Sequence, residues 1–227
     1  MNWYIISIVI AGFILLFMQK EGLLPSVKSK QKLPPVEKNL FNLDIGDIVQ
    51  HQGIDWFVEG KLIYNTGSYN WFEYLLRDDD NILWLSIEED DYVEVSLLRE
   101  SDIPAIESLF IEEQQKLLRQ SETGGWSENS SKSWQANSSK INDARLRTIT
   151  YQQASYQLSD YGTASINRLG NTLNREGQSC KYFDYKGAGD RRLSVEIWNG
   201  EIEVAIGNKI NPRMLNFLPG DGQKVYG

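Results

Sequence analysis

Apolar and polar residues alternate along most of the chain from Ile45 onward, and turn residues break the alternation at near-regular intervals. IGDIVQHQG, DWFVEGKLIYN, YNWFEYLLRD, NILWLSIEE and DYVEVSLLRE are rich in Val, Ile, Tyr, Trp and Phe. Between them stand Gln52-Gly53, Asn65-Thr66-Gly67-Ser68, Asp78-Asp79-Asp80-Asn81 and the acidic run from Glu88 to Asp91. Short β-rich runs with a turn about every ten residues predict an antiparallel meander. Within DYVEVSLL, Tyr92, Glu94 and Ser96 alternate with Val93, Val95 and Leu97, which assigns one face of the sheet to water.

Ser101-Asp102-Ile103-Pro104 then opens a helix, with Asp102 placed to cap it and Pro104 tolerated in its first turn. Ile103, Ile106, Phe110 and Leu117 fall near one face of that helix, which runs to about Gln120. Residues 121–140 hold seven Ser and no apolar pattern, so they read as a disordered loop inside a low-complexity insertion over 121–147. Strand patterns resume in ARLRTITYQQASYQLS, YGTASINRLG, QSCKYFDYKG, RRLSVEIWNG and EIEVAIGNKI. Asn199-Gly200, set between two alternating runs, is the strongest hairpin signal in the chain. Asn211-Pro212 opens a short helical turn to Asn216, ahead of Phe217-Leu218-Pro219-Gly220. The fold class is mainly β (α+β): a mostly antiparallel, sheet- or barrel-like domain over 42–222 with one or two short helices.

The N-terminus follows a different rule. Trp3 to Met18 carries no charge and spans ~24 Å as a helix, rather short of a ~30 Å hydrocarbon core but extended by Met1 and Asn2. No Lys or Arg precedes it and no small-x-small cleavage site follows, which favours a single transmembrane helix at 1–19 over a cleaved signal. Lys20, Lys28, Lys30, Lys32 and Lys38 all follow the span, so the positive-inside rule puts the C-terminal domain in the cytoplasm. Residues 20–41, with Pro25, Pro34 and Pro35, read as an extended tether.

Composition narrows the chemistry. The 227 residues include one Cys and one His, which excludes an intrachain disulfide framework and a two-histidine metal site. The net charge is −8, and residues 42–113 hold 18 acidic side chains against Lys61, Arg77 and Arg99. A surface that acidic repels phosphate backbones and excludes nucleic acid as a partner.

Each candidate cluster has a structural explanation. Asp78, Asp79 and Asp80 lack the rest of an EF-hand loop and suit a hairpin turn. With Glu88 to Asp91 they are expected to make one acidic end of the sheet. Glu73, Glu196, Glu201 and Glu203 lie in strand patterns beside aromatics; alternation puts them on the polar face of a half-exposed sheet, although Glu196 and Glu203 share a hairpin and could work as a hydrolytic pair. His51 with Asp55 has no nucleophile motif beside it, and His51 suits a strand edge. Gly187-Ala188-Gly189 precedes a strand, so it is a turn rather than a phosphate loop. No catalytic, cofactor-binding or metal-binding residue is assigned. Trp126 and Trp134 stand in the Ser-rich stretch without a core to receive them; they either anchor a partner, as aromatic residues do at interfaces, or fold back onto a groove of their own domain.

Ile45-Gly46-Asp47, WFVEG, YNWFEYLL, NILWLSIE, Tyr161-Gly162-Thr163-Ala164, FDYKG, LSVEIWNGEIEVAIGNKI and the closing LPG together resemble the bacterial domain family DUF4178 over about residues 42–222. The resemblance implies a membrane-anchored member and carries over no catalytic residue; a photosynthetic membrane is the setting it implies. The function expected is a membrane-tethered, cytoplasm-facing interaction module, an accessory or assembly factor of a membrane complex. In it Asp78, Asp79 and Asp80 steer a protein partner and Trp126 and Trp134 anchor it. The alternative is a small-ligand-binding or hydrolytic β domain using carboxylates on the sheet face. Carbonate washing is expected to leave the protein in the membrane, and external protease on intact cells is expected to spare residues 42–227; digestion from outside would reverse the orientation.

Overall fold

The computed structural model describes residues 37–67, 69–112, 144–173 and 175–220. The strands are β1 (Ile48–His51), β2 (Ile54–Asn65), β3 (Asn70–Asp78), β4 (Asn81–Glu89), β5 (Val93–Glu100), β6 (Thr148–Tyr151), β7 (Ala154–Gly170), β8 (Ser179–Gly187), β9 (Arg191–Trp198), β10 (Glu201–Lys209) and β11 (Leu215–Leu218). Residues 104–112 form helix α1, Ala144–Arg147 a single turn α2, and Pro212–Met214 a 3-10 turn.

The strands follow one another antiparallel in the order β11-β1-β2-β3-β4-β5-β10-β9-β8-β7-β6, and β2 also pairs with β7. That extra pairing closes eight strands, β2 to β5 and β7 to β10, into a barrel, with β1, β11 and β6 as flanking additions. An eight-stranded barrel is about wide enough for its interior to be filled by side chains or to hold one small ligand.

Strand β2 makes the closure possible. A bulge between Val58 and Gly60 shifts its register against β3, and one extra residue flips the faces of everything beyond it. Before the bulge, Trp56 and Val58 join an outer cluster; after it, Leu62 and Tyr64 join the barrel interior. The first half pairs with β1, and the second half, from Gly60 to Asn65, pairs with β7. The bulged Glu59 is held by Arg77 at 2.8 Å and by the Asn171 amide at 3.0 Å.

The barrel buries apolar residues on its outside as well as within. Tyr74, Leu76, Leu85, Ile87 and Val95 lie beneath β1, β11 and residues Leu40, Phe41 and Leu43. Leu193, Val195 and Ile197 lie beneath Ile103, Ile106 and Phe110 of the α1 segment and Leu146 of α2. The residues alternating with these on the same strands, among them Trp71, Glu73, Trp84, Ser86, Ser96, Leu98 and Glu196, face the lumen.

Several expectations change. The polar face assigned to water is the inside of a closed barrel, so Glu73, Glu196, Ser86 and Ser96 are buried. Successive meander turns alternate ends, so Asp78–Asp80 and Glu88–Asp91 sit at opposite ends of β4 rather than forming one acidic tip. Residues 148–170 divide at Gln152-Gln153, both in the left-handed region, not at Ser159-Asp160, where β7 continues through a bulge. The chain after the 3-10 turn forms β11, which pairs with β1, so β1 has two neighbours and His51 is no edge residue. Residues 37–41 belong to the domain: Lys38 bonds Asp47 at 2.7 Å and Asp44 at 2.9 Å. The span at 1–19, most of the tether, and the 121–140 loop with Trp126 and Trp134 lie outside the described residues. Among the described residues no helix is long and apolar enough to cross a membrane.

Gly60 sits where β2 changes neighbours, and a Cβ there would overlap the Asn171 carbonyl oxygen. Gly60→Val is expected to lower stability by about 3 kcal/mol, read as a fall in the urea midpoint at unchanged slope.

Candidate functional site

Inward-facing strand positions place polar side chains at every depth of the barrel. At one end the β7–β8 loop folds under the lumen and inserts Arg175, which is 2% exposed. Its Nη1 lies 2.7 Å from Glu73 Oε2 of β3 and 3.0 Å from Glu196 Oε2 of β9. Its Nε is 3.7 Å from Glu100 Oε1 at the end of β5. The guanidinium carbon lies 4.0 Å over the Trp84 ring, a cation–π arrangement strengthened by the lack of water.

Each carboxylate is also held by an aromatic donor. Tyr64 Oη donates to Glu73 at 3.0 Å, Trp198 Nε1 to Glu196 at 3.1 Å, and Trp84 Nε1 to Glu100 at 2.8 Å. Burial works against the Arg175 charge, but Glu196, Glu73 and Glu100 outweigh it and keep the guanidinium firmly protonated. One cation cannot balance three acids, and Glu73 is pushed up to about 7, first by burial and next by Glu196. Cys180, in the same floor, is driven well above the ordinary thiol range by burial and then by Glu196, so it is inert.

Above this floor opens a cavity of about 660 Å³. Its lining includes the carboxylates Glu73, Glu88, Asp90, Glu94, Asp160, Asp184 and Glu196, against the basic side chains Lys186 and Arg192. Glu94 is neutralised: Arg192 reaches it at 2.7 Å, Lys209 at 3.1 Å and Lys186 at 3.7 Å. Burial pulls Glu94 upward, but Arg192 and Lys209 prevail and hold it below the usual range.

The other wall carries no such compensation. Asp160 and Asp184 stand directly opposite each other on β7 and β8, an unfavourable placement for like charges. Asp184 accepts from Ser194 at 2.8 Å and Asp160 from Tyr182 at 3.3 Å, both neutral donors. Asp184 is driven well above the carboxylate range by burial and then by Glu88. Glu88, raised by burial and then by Glu94, has neither hydrogen bond nor ion pair among the described residues. Ser86 and Ser96, paired across β4 and β5 and 5% and 6% exposed, line the cavity with hydroxyls that likewise have no partner among the described residues. Tyr69, Trp71 and Tyr182 form the aromatic side of the cavity.

The structure separates the residues singled out from the sequence. Glu73 and Glu196 meet through Arg175, and Glu203 is directly opposite Glu196 in the β9–β10 register, whereas Glu201 is exposed on the same hairpin. Asp79 and Asp80 are exposed and Asp78 half-buried in the β3–β4 turn, away from the lumen. His51 and Asp55 form no dyad, since Asp55 accepts from Gln50 at 2.8 Å. Gly187 ends β8, and Ala188 and Gly189 stand in the β8–β9 turn. Arg175, Asp160, Asp184, Ser86 and Ser96 escaped sequence reasoning. The available signal was three inward-phase Glu on β3, β5 and β9, which require a cation from outside the strands. Among the described residues no group of three or more His, Cys, Asp or Glu could hold a metal ion.

Glu73 makes stability depend on pH. Its folded-state value of about 7 lies above the ordinary 4.5, so the folded protein holds a proton that the unfolded chain has released between them. The corresponding stability is full below pH 4.5 and is lost as pH rises through about 7. Urea titrations from pH 4.5 to pH 7 are expected to show falling stability and a shallower fall in Glu73→Gln; an unchanged slope would place the proton elsewhere.

No solved structure matches the chain. An uncharacterized protein of Mycobacterium bovis, and one in each of two Mycobacterium tuberculosis strains, are 46% identical to it over 46 residues. That match covers 20% of this chain and 22% of each relative, so the chain spans about a fifth of the length of the curated relatives it matches. The comparisons give no support to a photosynthetic setting or a membrane anchor. The model for the domain of unknown function DUF4178 matches residues 44–212, the barrel with its lumen and floor, and the chain belongs to that family.

Proposed function

We propose that this domain is a small-ligand-binding module whose site is the barrel lumen. The observation that carries this reading is the cavity of about 660 Å³, within the size range of small-molecule sites, into which the unpartnered hydroxyls of Ser86 and Ser96 point. Both hydroxyls open onto the cavity, where a ligand can bond them. The floor supports binding rather than hydrolysis. Glu73 and Glu196 are both bonded to Arg175, and the same guanidinium at 2.7 Å and 3.0 Å leaves no room for a substrate between them.

The docking function expected from the sequence remains a proposal with a narrower base. The exposed turn at Asp79 and Asp80 supports electrostatic steering, while its aromatic anchors, Trp126 and Trp134, lie outside the described residues.

Saturation-transfer NMR on the purified full chain, with mixtures of neutral, anionic and cationic small polar compounds, tests the ligand-binding reading. At least one class is expected to bind, and Ser96→Phe, which fills the cavity, is expected to weaken it at least about tenfold with circular dichroism unchanged. If no class binds, or if Ser96→Phe leaves binding intact, the lumen is not the site.

A further inference from the structure

We infer that the ligand is a linear aliphatic diamine or polyamine, its ammonium groups seated on the opposed Asp160–Asp184 pair and on Glu88. The inference rests on the lumen being a ligand site and names the chemistry of what enters it.

Charge comes first. Glu94 has its own three cations and Glu73 and Glu196 share Arg175. Asp160, Asp184 and Glu88 make no ion pair among the described residues, and Lys186 and Arg192 act on Glu88 only without contact. Asp160 and Asp184 stand face to face across β7 and β8, Asp160 exposed at the rim of the lumen and Asp184 half-buried. Burial and the neighbouring acids disfavour charge here: Asp184 is shifted upward by burial and then by Glu88, and Glu88 by burial and then by Glu94. An ammonium group supplies the missing positive charge and bonds to both carboxylates of the facing pair.

Shape selects among cations. A single divalent ion requires several carboxylates converging on one point, and the described residues contain no such group. The unmatched acids instead stand on different strands, β4, β7 and β8. Along β4, Glu88 lies two residues beyond Ser86, ~7 Å further up the lumen. Charges distributed with depth match a chain of ammonium groups joined by methylenes. Trp71 and Tyr69 line the same cavity and offer apolar surface to the methylenes and π faces to the ammonium groups. Ser86 and Ser96 can accept from the terminal amine. The floor illustrates the same chemistry within the protein: Arg175, itself a cation on an aliphatic stem, is gripped by carboxylates with its guanidinium 4.0 Å over Trp84.

Isothermal titration calorimetry on the full chain, with butylamine, putrescine, spermidine, glucose, citrate and Mg²⁺ as probes, tests the assignment. Affinity is expected to rise from butylamine to putrescine to spermidine. Asp184→Asn and Glu88→Gln are each expected to weaken spermidine at least about tenfold. Both variants should fold, with melting temperatures equal to or above that of the parent, because each removes a like-charge contact. The triple variant Asp78→Asn, Asp79→Asn, Asp80→Asn, altered outside the lumen, should bind spermidine as the parent does. Equal affinity for butylamine and spermidine, competition by equimolar Mg²⁺, or loss of binding in the triple variant alone would overturn the inference. Binding of glucose or citrate without any amine would overturn it and leave the lumen as a ligand site. Silence from every probe would overturn both.

Discussion

A carboxylate buried inside a closed barrel is cut off from bulk water, so it must be neutralised, protonated or bonded within the lumen. The organisation of the domain follows from how that requirement is met at different depths. At the floor, Glu73, Glu100 and Glu196 converge on Arg175, which arrives from a loop and not from the barrel wall. A guanidinium suits that position because its several donors bond carboxylates in the plane while its flat face lies on Trp84. Removal of one member would leave buried charge without a partner, the costly way to break such a site.

The same requirement explains how the barrel is sealed. The β7–β8 loop both closes the floor and brings Arg175 to it. Asn171, at the start of that loop, donates through its backbone to Glu59 O at 2.9 Å and through its side chain to Glu59 Oε2 at 3.0 Å. Glu59 is the residue added to β2 by the bulge. The irregularity that turns β2 from the outer cluster to the lumen therefore also anchors the loop carrying the neutralising cation. Closure, phase change and charge balance meet within a few residues, and Gly60 has no side chain because the Asn171 carbonyl occupies that space.

The upper lumen is treated asymmetrically. On one wall three basic side chains surround Glu94; on the other, Asp160 and Asp184 oppose each other with only neutral donors. Asp160 reaches solvent at the rim, but a fold selected for stability alone has no reason to leave the half-buried Asp184 with a neutral donor when cations are available a strand away. Functional sites are where such local costs are retained. The contrast between the two walls supports binding rather than structural reinforcement as the purpose of the lumen.

Local pattern determined the strands. Alternation and turn chemistry located β1 to β5 and β8 to β10 closely, and Asn199-Gly200 placed the β9–β10 hairpin, because these depend on neighbours a few residues apart. Gln152-Gln153 escaped because glutamine is not a residue that favours the left-handed conformation both adopt. Tertiary structure alone decided which side of each strand is wet. Period-two alternation distinguishes two faces but does not say whether the polar one meets solvent or a lumen, and that depends on the β2–β7 pairing between residues about a hundred positions apart, such as Ser165 and Asn65. Once the ring closes, glutamates that read as solvated become a buried network, and an arginine in a polar loop becomes its centre. No residue near Arg175 in sequence announces that role, because its partners come from β3, β5 and β9, and only folding brings them within reach.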